Sequence, residues 1–157
     1  MTTAATSANM PASILVVDDT PTNVKVLLEM LGREGYRVLV AREGESALEQ
    51  ARYAQPSLIL LDVMMPGIDG YETCKRLKRD PTTAEIPVIF MTALGDLEDK
   101  VKGFAAGSAD YVVKPFEHEE VLARVRTHVE MRRLQLDLKA HNQALDAKVA
   151  ERTAELK

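Results

Sequence analysis

Each of four short apolar runs in this sequence ends directly on a polar residue. Asp18 and Asp19 follow Ile14-Leu15-Val16-Val17, and Asp62 follows Leu58-Ile59-Leu60-Leu61. Thr92 follows Val88-Ile89-Phe90-Met91, and Lys114 follows Tyr111-Val112-Val113. Taken alone, an Asp after a strand is a turn or cap residue. Taken together, three carboxylates, a hydroxyl and an ammonium define a chemistry. Carboxylates held close repel, and protonation or a bound cation relieves the repulsion. An oxygen-rich site suits Mg2+, which commonly works beside phosphate oxygens. A carboxylate is also a competent nucleophile toward phosphorus. A metal, a lysine and a hydroxyl can then stabilise the charge spread over the phosphoryl oxygens. The set suits uptake of a phosphoryl group, provided that the fold brings it together.

The elements supply that condition. Ile14–Val17, Arg37–Ala41, Ser57–Leu61, Pro87–Met91 and Ala109–Val113 read as five strands, short and rich in aliphatic residues. The third has no polar alternation, which fits a strand buried on both faces. Helical patterns lie between them. Thr20-Pro21 provides an N-cap and a first-turn proline for a helix with Val24, Leu27, Leu28 and Leu31 inward, ended by Gly35. Ala47, Leu48 and Ala51 mark the second helix. Asp69 and Glu72 have capping-box spacing for a third, starting near Gly70 and running through Cys74 and Leu77; that structural job accounts for Asp69. Asp96 and Asp99 can cap a fourth, with Leu97, Val101 and Phe104 inward and Gly107 as its stop. From Glu117 to Lys157 no Gly or Pro interrupts a fifth. Five alternations of strand and helix call for a parallel sheet with helices on both faces. All its carboxyl-terminal strand ends lie at one edge, where open α/β folds keep their sites.

Composition narrows the function. The 157 residues are 46% hydrophobic and 28% charged, as in an ordinary single-domain protein. A net charge of −4 gives no general attraction to nucleic acid. Cys74 is the one cysteine, so no intrachain disulfide can form, and its helical setting fits a buried small side chain. No apolar run is long enough to cross a membrane, and the start of the chain lacks the pattern of a signal peptide. A cytoplasmic protein is expected, with residues 1–12 as a disordered lead-in, an α/β domain over 13–127 and a helical linker over 128–157.

The motifs Ile14–Asp19, Leu61–Gly70, Thr92-Ala93, Gly107–Tyr111 and Lys114-Pro115-Phe116, in that order, resemble the receiver domain of bacterial response regulators. The resemblance implies a flavodoxin-like (βα)5 doubly wound sheet of strand order 2-1-3-4-5. It implies that Asp62 accepts a phosphoryl group from a sensor histidine kinase in a two-component relay. Asp18, Asp19 and Asp62 would hold Mg2+ with the Met64 backbone carbonyl, and Lys114 would pair with the phosphoryl group. Thr92 and Tyr111 would be the switch pair, and the Lys114-Pro115 peptide would be cis. Such a protein is a switch, catalysing only its own phosphorylation and dephosphorylation. Met64 and Leu94, flanking the pocket, are apolar and cannot orient a water, so slow self-dephosphorylation is expected. Two other readings stay open: an inert receiver serving as a dimerisation module, and an aspartyl-nucleophile phosphatase of haloacid-dehalogenase type. The latter wants an Asp-x-Asp pair after the first strand, whereas Asp18 and Asp19 are adjacent.

The last helix is too long merely to close such a domain. His128, Met131, Gln135, Leu138, Asn142, Leu145, Val149, Arg152 and Leu156 fit alternating a and d positions, with Asn142 favouring a parallel dimer in fixed register. His118, His128 and His141 lack paired ligand spacing and read as surface residues. Lys148–Leu156 resembles the signalling helix that joins receivers to output domains, among them histidine kinases and cyclic-di-GMP enzymes. A homodimer through the receiver face and this helix is expected, as is transmission through the face of the fourth helix, fifth strand and fifth helix to that dimer or to an output beyond Lys157.

Overall fold

The computed structural model describes residues 11–93 and 97–155, with side chains described for 11–93 and 101–148. Residues 1–10 of the lead-in, Leu94, Asp96 and Leu156, and the side chains of Leu97, Asp99, Val149 and Arg152, lie outside that description, and with them the readings placed on those groups. The strands are β1 (Ser13–Val17), β2 (Arg37–Ala41), β3 (Leu58–Asp62), β4 (Val88–Ala93) and β5 (Asp110–Lys114). The helices are α1 (Pro21–Arg33), α2 (Gly44–Ala54), α3 (Gly70–Arg79), α4 (Leu97–Ala105) and α5 (His118–Glu155). All strand pairs are parallel, in the order β2-β1-β3-β4-β5.

Alternate strand residues feed two cores. Leu15, Val17, Ile59, Leu61, Val88 and Phe90 pack with Ala47, Ala51, Cys74, Leu77 and Ala106. On the other face Ile14, Val16, Leu58, Leu60, Ile89, Met91 and Val112 meet Leu27, Met30 and Leu31 of α1 and Val121 and Val125 of α5. β3 is buried throughout, as its unbroken aliphatic run requires. Cys74 is buried, and burial raises its thiol to about 11, an inert side chain.

Several local expectations are corrected. Leu28 is exposed, because α1 turns Leu27, Met30 and Leu31 inward instead. Thr20 takes the extended N-cap conformation, but its side chain makes no capping bond. Asp69 does cap α3, its Oδ1 accepting from Glu72 N at 2.8 Å. The return bond of the capping box is replaced by an ion pair of Glu72 with Arg76 at 2.9 Å. Val101 and Phe104 are 63% and 50% exposed, not inward. Gly103 and Ala106 take the inner positions of α4, since a side chain at 103 would run into the buried Phe90 ring at 2.9 Å. α4 then ends at Gly107, whose φ of +103° favours glycine.

α5 packs Val121, Val125 and Val129 on the second core, and Arg132 reaches Glu85 at 3.3 Å. From Arg133 to Lys148 every residue is exposed. Met131, just before this stretch, and Leu138 and Leu145 within it recur at seven-residue spacing and are exposed.

One glycine fixes the loop that carries β3 into α3. A Cβ on Gly70 would collide with the Asp62 carbonyl oxygen and lie 2.8 Å from Val63 Cα, both backbone atoms that cannot yield cheaply. Gly70→Ala should therefore lower the urea midpoint by about 1–3 kcal/mol of stability. Gly32→Ala, in open space within α1, should be neutral or gain up to about 1 kcal/mol. Equal midpoints for the two variants would show that the α3 start can move.

Candidate functional site: an acidic pocket at the strand ends

Parallel register brings the strand ends to one edge. Asp62 pairs across the sheet with Met91, Thr92 with Val113 and Ala93 with Lys114. Each of these chain ends must leave the sheet here, so its last side chain points into the crevice between loops rather than into a core. The resulting cavity, about 410 Å3, is lined by Asp19, Thr20, Asp62, Val63, Met64, Met91, Ala93 and Lys114.

Asp18, Asp19 and Asp62 each offer an oxygen within 4.8 Å of the others. Asp18 and Asp62 are buried and Asp19 is exposed. Lys114 Nζ lies 3.0 Å from Asp62 Oδ1 and 3.6 Å from Asp18 Oδ2, and so serves both buried carboxylates. Asp62 Oδ1 also accepts from Met64 N at 3.4 Å. The Met64 side chain is exposed over the pocket. The Lys114-Pro115 peptide is cis, which shapes the turn leaving β5. The Thr92 hydroxyl is buried and, among the described residues, has no hydrogen-bond partner. A buried donor left unmatched is costly and rare. It is a donor that a group bound beside β4 could use.

Asp18 is held by two residues that sequence reasoning passed over for this task. Its Oδ1 accepts from Thr20 N at 2.9 Å and its Oδ2 from Asn23 Nδ2 at 3.3 Å. The sequence signal was faint: an amide side chain in the first turn of α1, five residues after Asp18. A neutral donor there orients the carboxylate without cancelling its charge. Tyr111 packs partly buried against the core that holds Phe90, its ring meeting Phe104 edge-on at 5.9 Å. It lies on the α4 side of β5. His118 and His141 are exposed, whereas His128 is only 14% exposed and stands 3.0 Å from Asp110. It therefore belongs to the domain surface contact of α5 rather than to a free seam.

Residues 14–126 match the response regulator receiver domain. The chain belongs to the response regulator receiver family. Over 118 residues the receiver is 47% identical to the response regulator PleD of Caulobacter vibrioides, covering 75% of this chain and 26% of PleD. It is likewise 47% identical over 113 residues to the DNA-binding dual master transcriptional regulator RpaA of Synechocystis, covering 72% of this chain and 47% of RpaA. The chain thus spans between a quarter and a half of the length of these relatives. Among solved structures it resembles the receiver domain of a sensor histidine kinase from Pseudomonas aeruginosa PAO1, with a magnesium ion coordinated in the active site cleft. That match has a TM-score of 0.72 at 30% identity, over 76% of this chain and 98% of that one.

Burial lifts the Asp62 carboxyl above its ordinary value; the Lys114 bond opposes this, and the neighbouring Asp18 charge adds to it. A carboxyl raised in the folded state costs stability wherever it is ionised there. The cost is fully present above its folded value and disappears as pH falls through that value toward the unfolded one, about 4. With Mg2+ removed by chelator, Asp62→Asn should have a higher urea midpoint than wild type at pH 7. The gap should close as pH drops into the carboxylate range. A gap that widens on acidification would mean that Asp62 is stabilised as the anion.

Proposed function

We propose that this receiver is a phosphoryl-accepting switch and that Asp62 is the acceptor. The observation that carries the reading is the buried, unmatched Thr92 hydroxyl on the strand beside the Asp62–Lys114 pair. A phosphoryl group on Asp62 would bring oxygens that both the Thr92 hydroxyl and the Lys114 ammonium can bind. In the transfer, an Asp62 oxygen attacks phosphorus as the bond from phosphorus to the donor's histidine nitrogen breaks. Lys114 follows the negative charge as it moves from carboxylate to phosphoryl oxygens. The donor is a sensor histidine kinase, as expected for a receiver.

Three carboxylate oxygens with a cavity between them form a hard, anionic donor set that fits Mg2+. Asp18, Asp19 and Asp62, with the Met64 carbonyl, would hold it, and the magnesium ion in the cleft of the Pseudomonas relative supports that choice. When bound, the ion neutralises charge between the carboxylates and the phosphoryl oxygens. Asn23 and Thr20 keep Asp18 oriented for it. Thr92 and Tyr111 are the switch pair: the hydroxyl closes on the phosphoryl group, and the ring follows into the space it leaves. The receiver acts through protein contacts in the cytoplasm, and its net charge of −4 gives no attraction to nucleic acid. The exposed Met131, Leu138 and Leu145 stripe serves a homodimer along α5, and the exposed Val101 and Phe104 of α4 offer apolar surface on the receiver itself.

Acetyl phosphate with Mg2+ should add one phosphoryl group to the wild-type chain by intact mass and none to Asp62→Asn. Uptake without Mg2+, or uptake persisting in Asp62→Asn, would overturn the assignment. Sedimentation should find a dimer at micromolar concentration that Leu138→Glu with Leu145→Glu reduces to monomer. A wild type that stays monomeric at high concentration would remove the dimer from the reading.

A further inference from the structure

Asp110, the first residue of β5, lies at the far end of that strand from Lys114 and outside the phosphoryl pocket. Its carboxylate is used on every side. Oδ1 accepts from Tyr111 N at 2.8 Å and from Arg124 Nη1 at 2.8 Å. Oδ2 accepts from the same Arg124 nitrogen at 3.0 Å and stands 3.0 Å from His128 Nε2. An ionised carboxylate only accepts, so His128 presents Nε2–H to it. Arg124 does more than pair with Asp110. Its guanidinium lies over the Tyr111 ring, 5.6 Å from the centroid, and its Nε reaches Glu120 at 3.3 Å.

An exposed ion pair would carry no such weight. This one is a partly buried network whose members share acceptors, so a change at one bond is felt at the others. It also spans three places that matter to signalling. Tyr111 is the ring of the switch pair, Arg124 lies in the part of α5 that packs on the domain, and His128 lies just before the last anchored turn. After Val129 and Arg132, every residue of α5 to Lys148 is exposed. A helix is stiff over such a length, so its direction is set where it is anchored.

We propose that Asp110, Arg124 and His128 form a latch through which the orientation of the Tyr111 ring sets how firmly α5 is seated where it leaves the domain. The latch rests on the phosphoryl-accepting reading above. With the ring in its present place, the guanidinium has an aromatic face beneath it and is held square to Asp110. A ring turned toward Thr92 withdraws that face, and Arg124 keeps only its bonds to Asp110 and Glu120. As the guanidinium moves, the carboxylate that it shares with His128 moves with it. The α5 segment at His128 then loses its fixed seat, and the exposed part of the helix gains freedom to change direction or register. Arg124 and His128 are positioning residues, and neither touches the phosphoryl pocket.

The test compares wild type, Arg124→Met, His128→Phe and His128→Gln, each full length, with and without acetyl phosphate and Mg2+. Intact mass reports phosphoryl uptake, and amide hydrogen exchange over residues 126–136 reports the seat of α5. Phosphorylated wild type should exchange several-fold faster there than the unmodified chain. Arg124→Met and His128→Phe should take up phosphoryl as wild type does, yet exchange fast and equally in both states. His128→Gln, which keeps an N–H at similar reach, should restore the difference. Arg124→Met and His128→Phe showing the full wild-type difference would overturn the latch, as would phosphorylated wild type that exchanges like the unmodified chain. Absence of phosphoryl uptake by wild type is a separate failure, which sinks the Asp62 reading and the latch with it.

Discussion

Two carboxylates, Asp18 and Asp62, are buried together at one edge of a parallel sheet, and charge is tolerated in such a place only when other groups compensate it. Lys114 is the main compensation, reaching Asp62 at 3.0 Å and Asp18 at 3.6 Å from the end of β5. Backbone and amide donors from Thr20, Asn23 and Met64 supply the rest. The compensation is incomplete: burial still holds the Asp62 carboxyl above its ordinary value. The cation and phosphoryl group proposed above would meet both the residual negative charge and the Thr92 hydroxyl. The loop beyond β3 depends on Gly70, which lets the start of α3 approach the Asp62 and Val63 backbone.

The same sheet separates chemistry from transmission. Lys114 and Asp110 are the two ends of β5, one in the pocket and the other in the network that grips α5. Tyr111 stands between them, on the α4 side and under Arg124. One short strand therefore joins the pocket at Asp62 to the helix that leaves the domain. A switch of this kind works by biasing between two arrangements of packed groups. The candidates are the Thr92 hydroxyl, the Tyr111 ring and the Arg124 guanidinium.

α5 belongs to two environments. Up to Arg132 its inward residues are anchored on the domain; beyond it the side chains are exposed, with leucines at seven-residue intervals. An isolated helix of such composition is marginal in water, which is the physical ground for the dimer proposed above. The exposed Val101 and Phe104 arise differently. Phe90 fills the space under α4, glycine and alanine take the inner face, and the larger residues turn outward.

The sequence by itself determined the architecture and which strand ends share one edge of the sheet. Aliphatic runs that end on Asp18, Asp62, Thr92 and Lys114 need a parallel sheet, and a parallel sheet puts their ends together. Asp69 was legible as a cap because capping is local, and its bond spans only three residues. What spacing could not reveal was every feature that depends on distance in space. Val101 and Phe104 lie outside because the bulk of Phe90, not periodicity, chose the buried face of α4. Asn23 serves Asp18, and His128 serves Asp110 across eighteen residues, through contacts that no local pattern encodes. Only the tertiary structure decided these, because a side chain's partner is set by which backbone segments pack against its own.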